Sequence, residues 1–130
     1  MSGKYLLDTN IVIALFAADD SVQKHISAAK EIFIPATVIG ELFFGAFKST
    51  HTEENISRIE KFALFNTVLS CGVGTGKEYG RIKNLLKIKG SPIPENDIWI
   101  AAVAIEHDLT LVTRDEHFTN IDGLRRNPWR

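Results

Sequence analysis

The chain lacks the features that mark secreted and membrane-embedded proteins. Its 130 residues include one cysteine, Cys71, which cannot form an internal disulfide, so a reducing, cytoplasmic location is expected. The longest apolar run near the start, 11–18, is far too short to cross a bilayer, so no membrane association is expected. The opening residues 1–4 show no cleavage-site pattern and predict no signal peptide.

Strong net charge and zinc-binding patterns are also missing. The formal net charge is −1, which excludes a globally basic nucleic-acid binder but is compatible with a local basic patch. No cysteine and histidine pair has zinc-ligand spacing, and the scattered histidines are not expected to be ligands. An apolar share of 45% and the length of the chain fit a single globular domain over residues 1–130.

Short apolar runs alternate with segments of helical periodicity along the chain. Strands are predicted at 4–7, 32–34, 67–69 and 109–113, with a short edge strand near the end of an otherwise irregular tail. Helices are predicted at 11–16, 22–31, from 37 onward, 53–64, 75–89 and 97–107, with Thr9 or Asn10, Asn96 and Gly90 as caps. The alternation predicts an α/β sandwich around a mostly parallel sheet.

Four acidic residues lie against apolar runs, where a charge costs free energy unless it is paired or bound to a metal. Asp8 follows the first strand, Glu41 lies within an apolar helix, Asp97 begins a late helix and Asp115 follows the fourth strand. Ligands of parallel sheets bind beyond the carboxyl ends of the strands, so we expect all four side chains to meet there. Three of them have a simpler interpretation when taken singly: Asp8 as a helix cap, Asp97 as a helix-dipole partner and Asp115 as a turn former.

Clustered carboxylates repel each other unless a cation or a proton neutralises them. Oxygen ligands alone suit hard ions, so the predicted cofactor is Mg²⁺, with Mn²⁺ as an alternative. A Mg²⁺ ion held by carboxylates takes further ligands from substrate phosphate, which indicates phosphoester chemistry.

At this point the residues resemble a known family. The ordered set of four acidic motifs is similar to that of PIN-domain ribonucleases, and the size and ending of the chain resemble VapC-type toxins of prokaryotic toxin–antitoxin pairs. The match covers nearly the whole chain. The residues that carry it are Leu6–Asn10, Gly40–Leu42, Pro94–Ala102, Leu111–Asp115 and the ending Phe118–Trp129.

The resemblance implies a PIN-like three-layer α/β/α sandwich of four or five strands and a Mg²⁺- or Mn²⁺-dependent endoribonuclease. It implies that Asp8 and Asp97 are metal ligands, that Glu41 and Asp115 complete the catalytic pocket, and that the Thr113 hydroxyl supports it. It further implies a homodimer, an RNA substrate and a small VapB-like antitoxin protein whose tail blocks the pocket. With water as the nucleophile, the products would carry 5′-phosphate and 3′-hydroxyl ends.

Other residues are weaker candidates for the same site. Asn10, Arg114 and Glu95 are possible supporting residues because each adjoins a motif acid. The basic helix 77–89 can hold RNA phosphates or form an ordinary solvated face. The aromatic residues around Glu41 (Phe43, Phe44 and Phe47) belong either to the core or to a surface that faces a partner.

Two other functions are compatible with an acid after the first strand. An aspartyl-phosphate phosphatase or phosphotransferase uses such an acid as nucleophile, but many carry a second Asp at the position of Asn10. A non-catalytic α/β binding module is the third possibility and requires that the four acids do not converge.

Overall fold

Five parallel strands form one sheet, with the first strand of the chain at its centre. In the computed structural model, which describes residues 3–130, the strands are β1 (Lys4–Leu7), β2 (Glu31–Pro35), β3 (Thr67–Leu69), β4 (Thr110–Val112) and β5 (Arg126–Asn127). Their order across the sheet is β3-β2-β1-β4-β5. All four neighbouring pairs are parallel, which confirms the predicted sheet and its short edge strand.

Helices cover both faces of this sheet. They are α1 (Thr9–Phe16), α2 (Asp20–Ala28), α3 (Ala36–Phe47), α4 (Thr52–Leu64), α5 (Val73–Lys89) and α6 (Glu95–Glu106), and a 3₁₀ turn spans Glu116–Asn120. The chain moves in one direction from β1 through β2 to β3 and then returns to β4 on the other side of β1. Because parallel crossovers are right-handed, α1 to α4 cover one face and α5 and α6 the other. The predicted three-layer α/β/α sandwich is therefore confirmed.

The central elements are apolar on every side because they are enclosed on both faces. Leu6 and Leu7, successive residues of β1 that point to opposite faces, are both fully buried. Residues 100–104 of α6 are likewise fully buried, which explains a helix with almost no polar face. These two elements hold Asp8 and Asp97 at fixed positions in the fold.

Two predicted helix caps are wrong. Asp8, rather than Thr9 or Asn10, is the N-cap of α1, and its side chain accepts the Thr9 backbone N–H. Pro94, rather than Asn96, precedes α6, because its extended ψ of 143° keeps it outside the helix. Helix α6 therefore begins at Glu95 and contains Asp97 in its first turn.

The remaining boundaries are close to those predicted. The second helix ends at Ala28 rather than at residue 31, because Glu31 already pairs with Lys4 in the sheet. Gly90 ends α5 in the left-handed conformation with φ of 71°, as its cap assignment required. None of the helices within residues 3–130 combines the length and apolar character that a bilayer crossing requires. The signal-peptide prediction rests partly on Met1 and Ser2, which lie outside the described residues.

The segment after β5 packs onto the first strand and the second helix. Trp129 is 1% exposed, stacks on His25 with ring centroids 5.3 Å apart and meets the edge of Tyr5. The Trp129 carbonyl accepts hydrogen bonds from the Ser21 hydroxyl and the Arg114 guanidinium. This packing fixes the loop that follows β4, where the fourth acidic motif lies.

Candidate functional site

Asp8 is the most deeply buried acid of the site. It lies where β1 ends, is 5% exposed, and accepts hydrogen bonds from the Thr9 N–H at 2.8 Å and the Thr113 hydroxyl at 2.7 Å. Burial, together with the smaller effect of the Asp97 and Glu41 charges, raises the pKa of the Asp8 carboxyl to about 6, although the two hydrogen bonds lower it. The fold therefore holds a carboxylate whose negative charge it compensates poorly.

Thr113 connects two of the acidic motifs. The parallel pairing of β1 with β4 brings it beside Asp8. Its buried hydroxyl donates to Asp8 Oδ2 and accepts the backbone N–H of Asp115 at 3.0 Å. Both hydrogen-bonding roles of the hydroxyl are used, so its position orients the Asp8 carboxylate and the start of the loop that carries Asp115.

Asp97 and Asp115 meet around the imidazole of His117. His117 Nδ1 lies 2.8 Å from Asp97 Oδ2 and 3.1 Å from Asp115 Oδ1. Burial raises the pKa of Asp97, and the nearby Asp115 charge adds to this, whereas the His117 hydrogen bond opposes it. The hydrogen bond to Asp97 raises the pKa of the His117 imidazole.

Glu41 reaches the same edge of the sheet from α3. The Thr9 hydroxyl donates to Glu41 Oε1 at 2.9 Å, which links Glu41 to the residue directly after Asp8. Glu41 also lies at one end of an apolar groove of about 210 Å³ between α1, α3 and α4. Ile13, Phe16 and Arg58 are among the residues that line this groove. The structure thus brings together all four acids that the sequence singled out.

The three supporting candidates occupy different surroundings. The Oδ1 atom of Asn10 is buried and has no hydrogen-bond partner among the described residues. Glu95 accepts a hydrogen bond from the Tyr79 hydroxyl and forms a 3.0 Å ion pair with Lys83. The Arg114 guanidinium donates to the carbonyls of Pro128 and Trp129, so it fixes the final segment.

The basic helix and the phenylalanines near Glu41 contain both side chains that contact other residues and side chains that face solvent. On the basic helix α5, Lys83 and Lys89 form ion pairs with acidic side chains. Phe43 is half-buried against the core, whereas Phe44 and Phe47 are each 66% exposed. The exposed pair supports the alternative in which part of this aromatic cluster faces a partner.

The donor set fits a divalent cation. Carboxylate oxygens of Asp97 and Asp115 and a ring nitrogen of His117 lie within 4.8 Å of one another. Asp8 and Asp97 have raised pKa values, so their charges lack full compensation from the protein. A cation at this edge would supply the missing positive charge, as oxygen-rich sites do for hard ions.

His117 is the site residue that sequence reasoning missed. Asp115 caps the 3₁₀ turn by accepting the His117 N–H at 2.9 Å, which turns the imidazole back towards Asp97. The signal was an Asp followed two residues later by His at the start of a turn, because Asp commonly caps such turns. Spacing rules for zinc ligands do not detect this arrangement.

Comparisons with known proteins identify the family of this fold. Residues 5–124 match the PIN domain family. Ribonuclease VapC2 of Haemophilus influenzae is 35% identical over 129 residues, which cover 97% of this chain and 98% of that protein. The tRNA(fMet)-specific endonuclease VapC of Shigella flexneri is 31% identical over 97% of this chain and 98% of that protein.

A solved structure has the same fold over nearly the whole of this chain. VapBC-1 from nontypeable Haemophilus influenzae superposes with a TM-score of 0.89 at 31% identity, covering 96% of this chain and 97% of that chain. The chain therefore belongs to the PIN-domain family, among its VapC-type ribonucleases.

Proposed function

We propose that this protein is a divalent-metal-dependent endoribonuclease and the toxin of a type II toxin–antitoxin pair. The observation that carries the proposal is the convergence of Asp8, Glu41, Asp97 and Asp115 at one edge of the sheet. The names of the relatives, a ribonuclease and a transfer RNA endonuclease, support RNA as the substrate. Because RNA is the substrate, the proposed activity requires a cytoplasmic location.

Asp8 and Asp97 are the proposed ligands of a Mg²⁺ or Mn²⁺ ion. When bound, such an ion lowers the pKa of water and stabilises the charge that develops on the phosphate. Thr113 holds the Asp8 carboxylate in one orientation, and Thr9 does the same for Glu41. Glu41 and Asp115 complete a pocket whose negative charge excludes a phosphate until a cation is present.

The proposed nucleophile is water rather than the RNA 2′-hydroxyl. Attack at phosphorus then breaks the bond to the 3′-oxygen, and this oxygen leaves with a proton. The products carry a 5′-phosphate and a 3′-hydroxyl. Products with a 2′,3′-cyclic phosphate would rule out this route, and mass spectrometry of the fragments distinguishes the two.

The central test is RNA cleavage by the purified protein, with initiator transfer RNA as the first substrate because of the activity named for the Shigella relative. We expect cleavage with Mg²⁺ or Mn²⁺, loss of cleavage with EDTA and recovery when the ion is restored. Asp97→Asn should abolish cleavage, whereas Asp122→Asn, a control at an exposed acid paired with Lys89, should not. Equal cleavage by the parent and Asp97→Asn would overturn the proposed role of Asp97.

A homodimer and a VapB-like antitoxin are the proposed protein partners. The solved relative is named as a VapBC complex, and the apolar groove at Glu41 offers a site for an apolar antitoxin segment whose end reaches the acids. Ile13→Glu places a charge in this groove and should weaken binding of a small protein encoded beside this gene. Ile88→Glu, at an exposed position of α5, is the matched control. Light scattering after gel filtration measures the dimer independently.

A further inference from the structure

His117 occupies a position that the four acidic motifs do not explain. The hydrogen bond from its own N–H to Asp115 Oδ1 holds the backbone of the 3₁₀ turn in place. With the backbone fixed, Nδ1 lies 2.8 Å from Asp97 Oδ2 and 3.1 Å from Asp115 Oδ1. The imidazole side chain is 50% exposed, so burial in the core does not account for its position.

These separations are those of neighbouring ligands around one ion. At metal–ligand distances of about 2.1 Å, adjacent positions of an octahedron lie about 3.0 Å apart and opposite positions about 4.2 Å apart. The separations of His117 Nδ1 from the Asp97 and Asp115 oxygens, 2.8 and 3.1 Å, match adjacent positions of an octahedron. Asp97, Asp115 and His117 Nδ1 are therefore close enough to be ligands of one ion.

A ring nitrogen in this set changes which ion the site prefers. Mg²⁺ favours oxygen ligands and holds its water tightly, whereas affinity of nitrogen ligands for divalent ions rises along the first transition row from Mn²⁺ onward. We propose that His117 Nδ1 is a metal ligand, and that it makes this site bind Mn²⁺ in preference to Mg²⁺. The proposal rests on the metal site of the proposed function.

The opposite role for His117 predicts an opposite result. If the imidazole only neutralises Asp97 and Asp115, it occupies the place of the ion and must leave when the ion binds. Removing it would then strengthen binding of both ions, because a competitor has been lost. Removing a nitrogen ligand instead weakens Mn²⁺ binding and has little effect on Mg²⁺.

The test measures metal binding directly, without RNA. Electron paramagnetic resonance measures the concentration of free Mn²⁺ during titration of the parent and of His117→Ala. Displacement of bound Mn²⁺ by added Mg²⁺ gives the Mg²⁺ affinity. Pulsed electron paramagnetic resonance detects nitrogen bound to Mn²⁺. We expect a nitrogen signal in the parent, its loss in His117→Ala, Mn²⁺ binding weaker by about 10-fold or more, and Mg²⁺ binding changed by less than about 3-fold. His107→Ala, at the far end of α6, should match the parent.

A second variant replaces the nitrogen with oxygen at nearly the same position. His117→Asn should lose the nitrogen signal and bind the two ions with more similar affinities than the parent does. Absence of a nitrogen signal in the parent, or Mn²⁺ binding by His117→Ala as tight as that of the parent, would overturn the proposal. A parent that cleaves RNA with Mg²⁺ but shows either result refutes only the role of His117, whereas a parent that binds Mn²⁺ through nitrogen without cleaving RNA refutes only the proposed function.

Discussion

Two buried threonine hydroxyls each donate to a carboxylate, one at each end of α6. Near its start, Thr113 donates to Asp8 at 2.7 Å. Beside its end, Thr75, the third residue of α5, donates to Glu106 at 2.5 Å. Thr75 and Thr113 are both at most 4% exposed. Asp8 is the N-cap of α1, whereas Glu106 is the last residue of α6 and its carboxylate contacts the first turn of α5.

The two pairs differ in the groups around the acid. Burial raises the pKa of Asp8 to about 6 with a smaller contribution from the negative charges of Asp97 and Glu41 nearby. Glu106 Oε1 lies 3.4 Å from His107 Nε2, and a quarter of the Glu106 side chain is exposed. A threonine partner therefore does not by itself distinguish a functional acid from a structural one. Proximity to other acids does, and the four comparisons below test this difference in order of decreasing effect.

The largest expected effect is that of Asp8→Asn, which should lose activity and gain stability. Cleavage should fall by about 100-fold or more, because a charged ligand becomes neutral. Since the folded-state pKa of Asp8 is raised from 3.8 to about 6, its ionisation costs about 3 kcal/mol above pH 6 and nothing well below pH 3.8. An Asn satisfies only one of the two hydrogen-bond donors, so the net gain is about 1–2 kcal/mol.

Urea unfolding in EDTA measures this gain in the free energy of unfolding. It should be present at pH 7.5 and smaller at pH 5, where the parent carboxylate is largely protonated in the folded state. A variant less stable than the parent at pH 7.5 would show that the burial of Asp8 and its neighbouring charges impose no net cost on the fold.

The next effect is that of Thr113→Val on cleavage. Loss of the hydroxyl leaves Asp8 without its orienting donor and the Asp115 N–H without its acceptor, so we expect the rate to fall by about 10- to 100-fold. Thr113→Ser keeps the hydroxyl and should retain most of the parent rate. If Val and Ser variants cleave equally well, the hydroxyl does not orient Asp8 for catalysis.

Thr75→Val should change stability and leave cleavage unchanged. The substitution removes the donor to Glu106 and the acceptor of the Gly72 N–H, so the free energy of unfolding should fall by about 2 kcal/mol. Thr75→Ser is the matched control for the hydroxyl. Cleavage per folded molecule, measured well below the unfolding temperature, should equal that of the parent, and a loss comparable to that of Thr113→Val would remove the distinction between the two pairs.

The smallest expected effect is the change in the free energy of unfolding when a methyl group is added at Gly74, where the Glu106 carboxylate lies against α5. A Cβ at Gly74 would lie 2.5 Å from Glu106 Oε2, so Gly74→Ala must displace the carboxylate from Thr75 and should cost about 1 kcal/mol. Gly80→Ala, in the same helix with nothing within 4 Å, should instead stabilise by about 0.5–1 kcal/mol. Thermal unfolding of both variants checks the sign, and stabilisation by both would mean that Glu106 moves away freely.

The sequence predicted most of the fold because the elements near the sheet carry strong apolar patterns. The third strand was predicted at its observed bounds, 67–69, and Gly90 ends α5 as expected. The caps of α1 and α6 were wrong, because several residues in a row could cap and only the backbone conformation selects one of them. For α6 that selection is made by the extended conformation of Pro94.

The convergence of the four acids was predictable from the sequence, but the position of His117 and the contact between Thr75 and Glu106 were not. Topology alone places Asp8 and Asp115 at one edge, since both follow strands of a parallel sheet. The position of His117 depends on the capping of the 3₁₀ turn by Asp115. An Asp two residues before a His is a weak signal of such a turn in any single sequence. Glu106 and Thr75 are 31 residues apart in different helices, so no local pattern links them.

The hydrogen bond between Asp8 and Thr113 joins residues 105 positions apart in the chain. A ribosome that has translated the first hundred residues has made β1 to β3, α1 to α5 and half of α6, yet none of β4, the strand that leads into Thr113 and Asp115. Contacts between such distant residues form late and slowly, because a long loop must close first. Under the proposed function, the nascent polypeptide cannot cleave RNA until residue 115 has left the ribosome, and an antitoxin that binds soon afterwards meets the enzyme as it first becomes active.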